Sequence, residues 1–258
     1  MMQGKLPVSR GAPGTPITNR LLDRLPAKDR ARVLSSCEEV DLAWGEILAK
    51  PGETIRNVYF PTGSAISLMV PMGGKSQLEV AIIGSEGVYG VSVALGIATS
   101  PLLVLVQGEG PAWQMGAIAF RRSLAQVPAL RECVERYTHV RMTQLIQEAG
   151  CNRFHVVEQR VARWLLLTAD RAHGSTFRIT HEFLASMLGV RRVGVTRAAS
   201  ALQRRKLITY TRGILTILDR KGLERASCQC YRSDLATYEQ FTTTMGWDQE
   251  GIGFCAPP

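Results

Sequence analysis

The chain has 258 residues, 45% hydrophobic and 21% charged. This is the balance of a globular protein with one large domain or two ordinary ones, not of a disordered or fibrous chain. The formal net charge is +9, and 14 bases against 4 acids between Cys151 and Gly222 account for all of it. A basic sum alone does not separate nucleic-acid, membrane and acidic-protein partners, but a local concentration of bases narrows the choice.

Residues 1–17, beginning MMQGKLPVSRGAPGTP, form a Gly/Pro-rich tail with no apolar core and no secretory signal. The expected location is the cytoplasm, with the six cysteines reduced. Thr18 to Ser36 has helical spacing, with Leu21, Leu22, Leu25, Val33 and Leu34 apolar. From Val40 to Met115, short apolar runs (IRNVYF, SAISLMV, LEVAII, PLLVLVQ) alternate with turn signals such as Pro51-Gly52 and Gly73-Gly74. Evenly spaced short strands predict a β-barrel, sandwich or roll. Gly87 to Gly108 is uncharged and long enough to cross a bilayer. Gly90, Gly96 and Pro101 interrupt it, so strand–turn–strand is the expectation and no membrane contact is foreseen.

Helix signals return at Ile118, and Pro128 suits the first turn of a helix running to about Gly150. Leu130, Val134, Thr138, Met142, Leu145 and Ala149 form one stripe along it. Such a stripe either pairs with its twin in a homodimer or packs on the chain's own β-domain; Arg141 and Gln144 interrupt it. Phe154 to Ala169 reads as another helix, with Val157, Val161, Trp164, Leu165 and Thr168 on one face. Leu223 to Met245 reads as a last helix, followed by a loose tail.

Between these lies LASMLGVRRVGVTRAASALQ, Leu184 to Gln203. Its spacing meets the demands of a helix-turn-helix. Ala185 permits close helix approach, Gly189 serves a turn that needs positive φ, and Val195 plugs the space between the helices. The outer face of the second helix carries Arg191, Arg192, Val193, Thr196, Arg197 and Ser200, with Arg204 and Arg205 at its end. LITYTRGILTILD then reads as a hairpin whose tip, Arg212, can reach a phosphate. These features together predict DNA binding. The bland alternative is a helical bundle with a solvated basic face. A second functional alternative is a small-molecule-sensing module whose winged helix docks a protein partner.

At these residues the chain resembles the Crp/Fnr transcription regulators, relatives of the cyclic-AMP receptor protein. The resemblance covers roughly Asn19 to Gly222. It rests on ITHEFLASMLGVRRVGVTRAASALQRRKLI (179–208), PGETIRNVYFPTGS (51–64) and CNRFHVVEQRVARWLL (151–166). It implies an α+β chain: a cyclic-nucleotide-binding-type β-roll with its N-terminal helix (18–117), a dimerisation helix region (118–151), a winged helix-turn-helix (152–222) and a C-terminal helix and tail (223–258). The implied partners are double-stranded DNA and a second copy of the chain, with RNA polymerase a further candidate.

The chain departs from that pattern in two places. The family's recognition helix begins Ser-Arg-Glu; here Arg191 replaces the serine and Val193 the glutamate, so the usual operator is not implied. Valine cannot accept from cytosine N4 but can pack on a thymine methyl. In the roll, GSEGVYGVSVALG (84–96) keeps the family's glycine as Gly90 but places Val91 where a ribose-binding glutamate stands. No arginine occurs between Arg56 and Arg121 to hold a phosphate. Cyclic AMP and cyclic GMP are therefore not expected as ligands. An uncharged or apolar small effector, or none, is expected in a pocket lined from Val88 to Leu105, with Val88, Gly90, Val91, Ser92, Ser100 and Leu102 as candidates.

The family's iron–sulfur variant needs clustered N-terminal cysteines, and Cys37 stands alone. Cys228 and Cys230, with Cys255 in the tail, read as ordinary thiols, and His139, His155, His173 and His181 show no ligand spacing. No metal is expected. His155 and Glu158 read as part of a surface salt link. No Walker loop, G-x-S-x-G or H-E-x-x-H occurs, so no catalytic residue and no enzymatic activity is expected.

Overall fold

The computed structural model describes residues 18–73 and 77–243. The terminal tails lie outside them.

The first helical stretch is divided by Pro26 into a 3-10 turn, Leu22–Arg24, and helix α1, Ala27–Leu34. Proline cannot continue the first helix but suits the start of the second. Leu21, Leu22, Leu25 and Val33 bury themselves against the β-domain. The buried Asn19 fixes the entry of the chain, its amide donating to the carbonyls of Pro61 (2.9 Å) and Gly87 (2.8 Å).

Seven strands then form two antiparallel sheets. One contains β1 (Glu38–Leu42), β7 (Gly110–Gly116) and β3 (Asn57–Pro61) in the order β1-β7-β3. The other runs β2-β6-β4-β5, from Ile47–Ala49, Leu103–Gly108, Ala65–Pro71 and Gln77–Ile83. Their inner faces enclose Val58, Phe60, Ile66, Val104, Val106 and Met115. The non-sequential strand order is what a roll needs to close both sheets over one core.

The strand–turn–strand expected over 87–108 is half right. Its second half is β6, but Val91–Ala94 forms a single helical turn, α2. Tyr89 still bridges Tyr59 through two backbone hydrogen bonds of 2.8 and 3.1 Å. Gly90 then takes φ +110° and turns the chain away, and a Cβ there would meet Val58 Cγ2 at 2.6 Å. The Val-Ser-Val-Ala alternation fits either local structure; this turn decides it.

Helix α3 spans Ala117–Gln126, and α4 spans Pro128–Phe154, with proline in its first turn. α4 continues beyond Gly150, since one glycine in a helix costs only about 1 kcal/mol. The break comes at the extended residues His155 and Val156, and α5 covers Val157–Ala172. Phe154 thus belongs to α4. A three-stranded sheet, ordered β8-β10-β9, joins Thr176–Arg178, Ile214–Ile217 and Ile208–Thr211. Its edge strand β8 has too few residues to show a period. The single C-terminal helix expected from Leu223 is instead two, α8 (Arg220–Ala226) and α9 (Cys230–Thr243). Asp219 starts α8 early by accepting from Gly222 N at 2.9 Å, and extended Ser227 ends it. α9 lies along α4, where the Gln144 amide donates to the Asp234 carbonyl at 3.4 Å.

The roll and the C-terminal unit share an apolar core. Met69, Leu103 and Leu105 of the second sheet pack with Val161, Trp164, Leu165 and Leu188. Polar links cross the same boundary: Trp164 Nε1 to Glu79 at 2.7 Å, Ser186 Oγ to the Gln77 carbonyl at 3.0 Å, and Arg171 Nε to Glu86 at 3.0 Å.

Candidate nucleic-acid interface

Two helices build the surface. α6 covers His181–Leu188, capped by Thr180, whose hydroxyl accepts from Phe183 N at 3.1 Å. α7 covers Arg192–Arg204. Between them Gly189 takes φ +62°, and Val190 N returns to the Ala185 carbonyl at 3.0 Å. This is the left-handed end that glycine adopts without steric cost. A Cβ on Gly189 would also meet Leu78 of β5 at 2.9 Å, so this residue serves both the turn and the docking of the unit on the roll.

Ala185 and Val195 are buried at the helix crossing, with Leu184, Leu188, Ala198, Ala199 and Leu202 around them. That apolar side fixes the rotation of α7 and turns Arg191, Arg192, Val193 and Arg197 outward as exposed residues. Val193 is 55% exposed, unusual for an aliphatic residue among arginines. Thr196 and Ser200 are half-buried at the edge of that face, and Arg204 is exposed at its end. Arg191 occupies the N-cap position without a side-chain cap bond. Arg192 faces Glu182 at 3.8 Å, but both side chains are largely solvated and the pair contributes little.

His181, the first residue of α6, supports this face. Its Nδ1 lies 3.1 Å from Thr196 Oγ1, and its ring stacks on Tyr210 with centroids 4.3 Å apart. Burial, and then the charge of Arg192, hold its pKa below the ordinary value. The hairpin follows as expected, with Arg212 and Gly213 both at positive φ at its tip and Arg212 exposed.

The effector candidates lie in the roll. Val88 is fully buried in the core. Val91, Ser92 and Leu102 are half-buried. Ser100 is buried, and its hydroxyl donates to the Leu102 carbonyl at 2.9 Å. Beside them, the ring of Tyr137 from α4 fills the space over Gly87, where no Cβ could fit.

The stripe on α4 divides. Leu130 and Val134 are spent on the chain's own core, and the Thr138 hydroxyl donates to the Val134 carbonyl at 2.7 Å. Met142, Leu145 and Ala149 are exposed, as is Ile146, which the stripe did not include.

Glu158 joins Arg205 at 3.0 Å rather than His155. His155 faces the other way, toward Cys151, Cys228 and Cys230, and the four donor atoms lie within 4.8 Å of one another. Sequence reasoning missed this group because its two halves are more than 70 residues apart.

Residues 159–226 match the model of the Crp-like helix-turn-helix domain. No curated protein matches the chain by sequence. Solved structures do match by fold. One is a chain from Eubacterium rectale described as a transcriptional regulator of the Crp/Fnr family, with TM-score 0.63 and 16% identity, covering 80% of this chain and 97% of its own. FixK2 from Bradyrhizobium japonicum gives 0.62 and 14%, covering 74% and 98%. The c-di-GMP responsive global regulator CLP of Xanthomonas campestris gives 0.61 and 16%, covering 74% and 99%. No helix among the described residues is long and apolar enough to cross a membrane. With a β-roll, a long connecting helix and a Crp-like helix-turn-helix at residues 159–226, the chain has the architecture of the Crp/Fnr transcription regulators.

Proposed function

We propose that the protein is a homodimeric, sequence-specific transcription regulator that acts on double-stranded DNA in the cytoplasm and is not an enzyme. The observation that carries the reading is the outer face of α7. Arg191, Arg192, Val193 and Arg197 stand exposed on a helix whose rotation is fixed by the buried Val195. An arginine on such a face takes guanine O6 and N7 in bidentate fashion, and Val193 offers a surface for a thymine methyl. Arg204 and Arg212 flank the face as phosphate contacts.

Dimerisation through α4 is supported by the exposed Met142, Leu145, Ile146 and Ala149 on its second half. Paired α4 helices place two α7 helices on successive major grooves, about 34–36 Å apart, which favours a palindromic site.

The sensor reading is that the roll does not take a cyclic nucleotide in the usual way. Its support is Val91 in place of an acid, no arginine over 57–120, and a Ser100 hydroxyl engaged by its own loop. An uncharged small effector or control by protein level fits such a roll. Titration calorimetry with cyclic AMP and cyclic GMP tests it, and micromolar binding of either overturns it.

Genome-wide footprinting tests the main reading: discrete palindromic sites are expected, and their absence refutes it. Salt separates DNA from a protein partner. DNA binding loses affinity log-linearly with salt, at about 0.9 per phosphate contacted, whereas protein docking gives a shallow slope.

A further inference from the structure

Three buried cysteines and a histidine come together where the α8–α9 link meets the end of α4. Cys151 belongs to the last turn of α4, and His155 is the residue that ends that helix. Cys228 lies in the link between α8 and α9, and Cys230 opens α9. The sulfurs of Cys151 and Cys228 are 3.6 Å apart, and Cys230 Sγ is 3.5 Å from His155 Nδ1. All four donor atoms fall within 4.8 Å of one another.

Those separations can be compared with a tetrahedral zinc site. With Zn–S near 2.3 Å and Zn–N near 2.0 Å, tetrahedral angles place two sulfurs about 3.8 Å apart and a sulfur and nitrogen about 3.5 Å apart. The two contacts here approach those edges while no bond joins the sulfurs. Four donors within 4.8 Å of one another leave room for one ion rather than a multi-iron cluster. Three thiolates with one imidazole is a known structural zinc set, and thiolate softness favours zinc over magnesium or calcium.

The surroundings suit thiolates. The Gln147 amide donates to Cys230 Sγ at 3.0 Å, and Arg163 Nη1 reaches Cys151 Sγ at 3.8 Å. Arg163 is held in place by Asp234 at 2.6 Å and by Glu148. Three thiolates and a neutral imidazole around a divalent ion carry one net negative charge; Arg163, itself shared with two carboxylates, adds a guanidinium donor beside Cys151 Sγ. Such outer partners orient ligands and tune the site.

We propose that Cys151, His155, Cys228 and Cys230 bind one zinc ion, which bolts the α8–α9 link to the end of α4. The bolt sits on the extended joint between α4 and α5, through which the helix-turn-helix unit is attached to the roll. Zinc there fixes the direction in which that unit leaves the long helix. On binding, three thiol protons go to solvent, and no electrons are transferred.

The test uses the full-length protein purified under reducing conditions. Elemental analysis is expected to find about one zinc per chain. Replacing it with cobalt should give the absorption of a tetrahedral ion together with intense sulfur-to-cobalt charge transfer. The double variant Cys228→Ser/Cys230→Ser should lose the metal, while Cys37→Ser, in the roll, should keep it. If the double variant fails to fold, the cobalt spectrum of the unaltered protein decides. Metal-free protein that takes up no cobalt, a Cys151–Cys228 disulfide under the same conditions, or metal retained by the folded double variant would each overturn the proposal. None of these readouts depends on DNA binding.

Discussion

The imidazole of His181, on the first helix of the motif, donates to the hydroxyl of Thr196 on the second. The direction follows from proton counting. Thr196 Oγ1 lies 3.1 Å from the Arg192 carbonyl and 3.1 Å from His181 Nδ1. Its single proton goes to the carbonyl, which can only accept, so the ring must supply the other. His181 Nε2, buried without a protein partner, then carries the lone pair. Thr196 is left with acceptor capacity alone, which on the proposed DNA-binding reading suits the donors adenine N6 and cytosine N4.

Thr196→Val should therefore strand the His181 donor and cost about 1–3 kcal/mol of stability. Thr196→Ser should restore most of it. Chemical denaturation of the two variants measures the difference. Equal stability of the valine and serine forms would refute the internal bond.

On the proposed reading face, Arg192→Ala should weaken specific binding by about 1–3 kcal/mol and relax preference at one base pair. Val193→Glu should change which base is preferred at its position rather than abolish binding, because a carboxylate accepts from cytosine and a valine cannot. Selection from a randomised operator library reads both effects.

On the second half of α4, Ile146 is 73% exposed and Met142 58%. Ile146→Asp should leave folding intact, since the side chain is exposed, and shift the proposed dimer toward monomer. Analytical ultracentrifugation should show the change, accompanied by loss of binding to palindromic sites but not of the weak binding to a half-site. An unchanged sedimentation coefficient would remove α4 from the interface.

Where the roll meets α5, Glu79 is held by Ser67 at 2.6 Å and Trp164 at 2.7 Å. Burial lifts its pKa from 4.5 to about 7, despite those bonds and the charge of Arg171, with Glu148 adding to the rise. The folded value is above the unfolded one. The neutral carboxyl's contribution is therefore complete below about pH 4.5 and is lost as pH rises to about 7. Denaturation at pH 5 and pH 7.5 should show that loss, and Glu79→Gln should flatten it. A steeper dependence in the glutamine variant would contradict the assignment.

Much of the helix-turn-helix was legible from residue order. Ala185, Gly189 and Val195 announce two crossed helices because each answers a local steric demand, and the outward arginines follow from helical period alone. The same logic failed where local sequence was ambiguous. Val91–Ala94 alternates like a strand, yet Gly90 turns it into a helix against Val58. α8 begins before the predicted helix because Asp219 caps it.

The sequence by itself determined the order of units, the helix-turn-helix and the side of α7 that faces outward, because these depend on periods of two and 3.6 and on single turn residues. Tertiary structure decided which residues of the α4 stripe stay exposed, since Leu130 and Val134 find partners only when the roll closes beneath them. It also decided that Glu79 is buried under Trp164, and that Cys151 and His155 meet Cys228 and Cys230. Such meetings join residues more than 70 positions apart, a distance over which local spacing carries no signal.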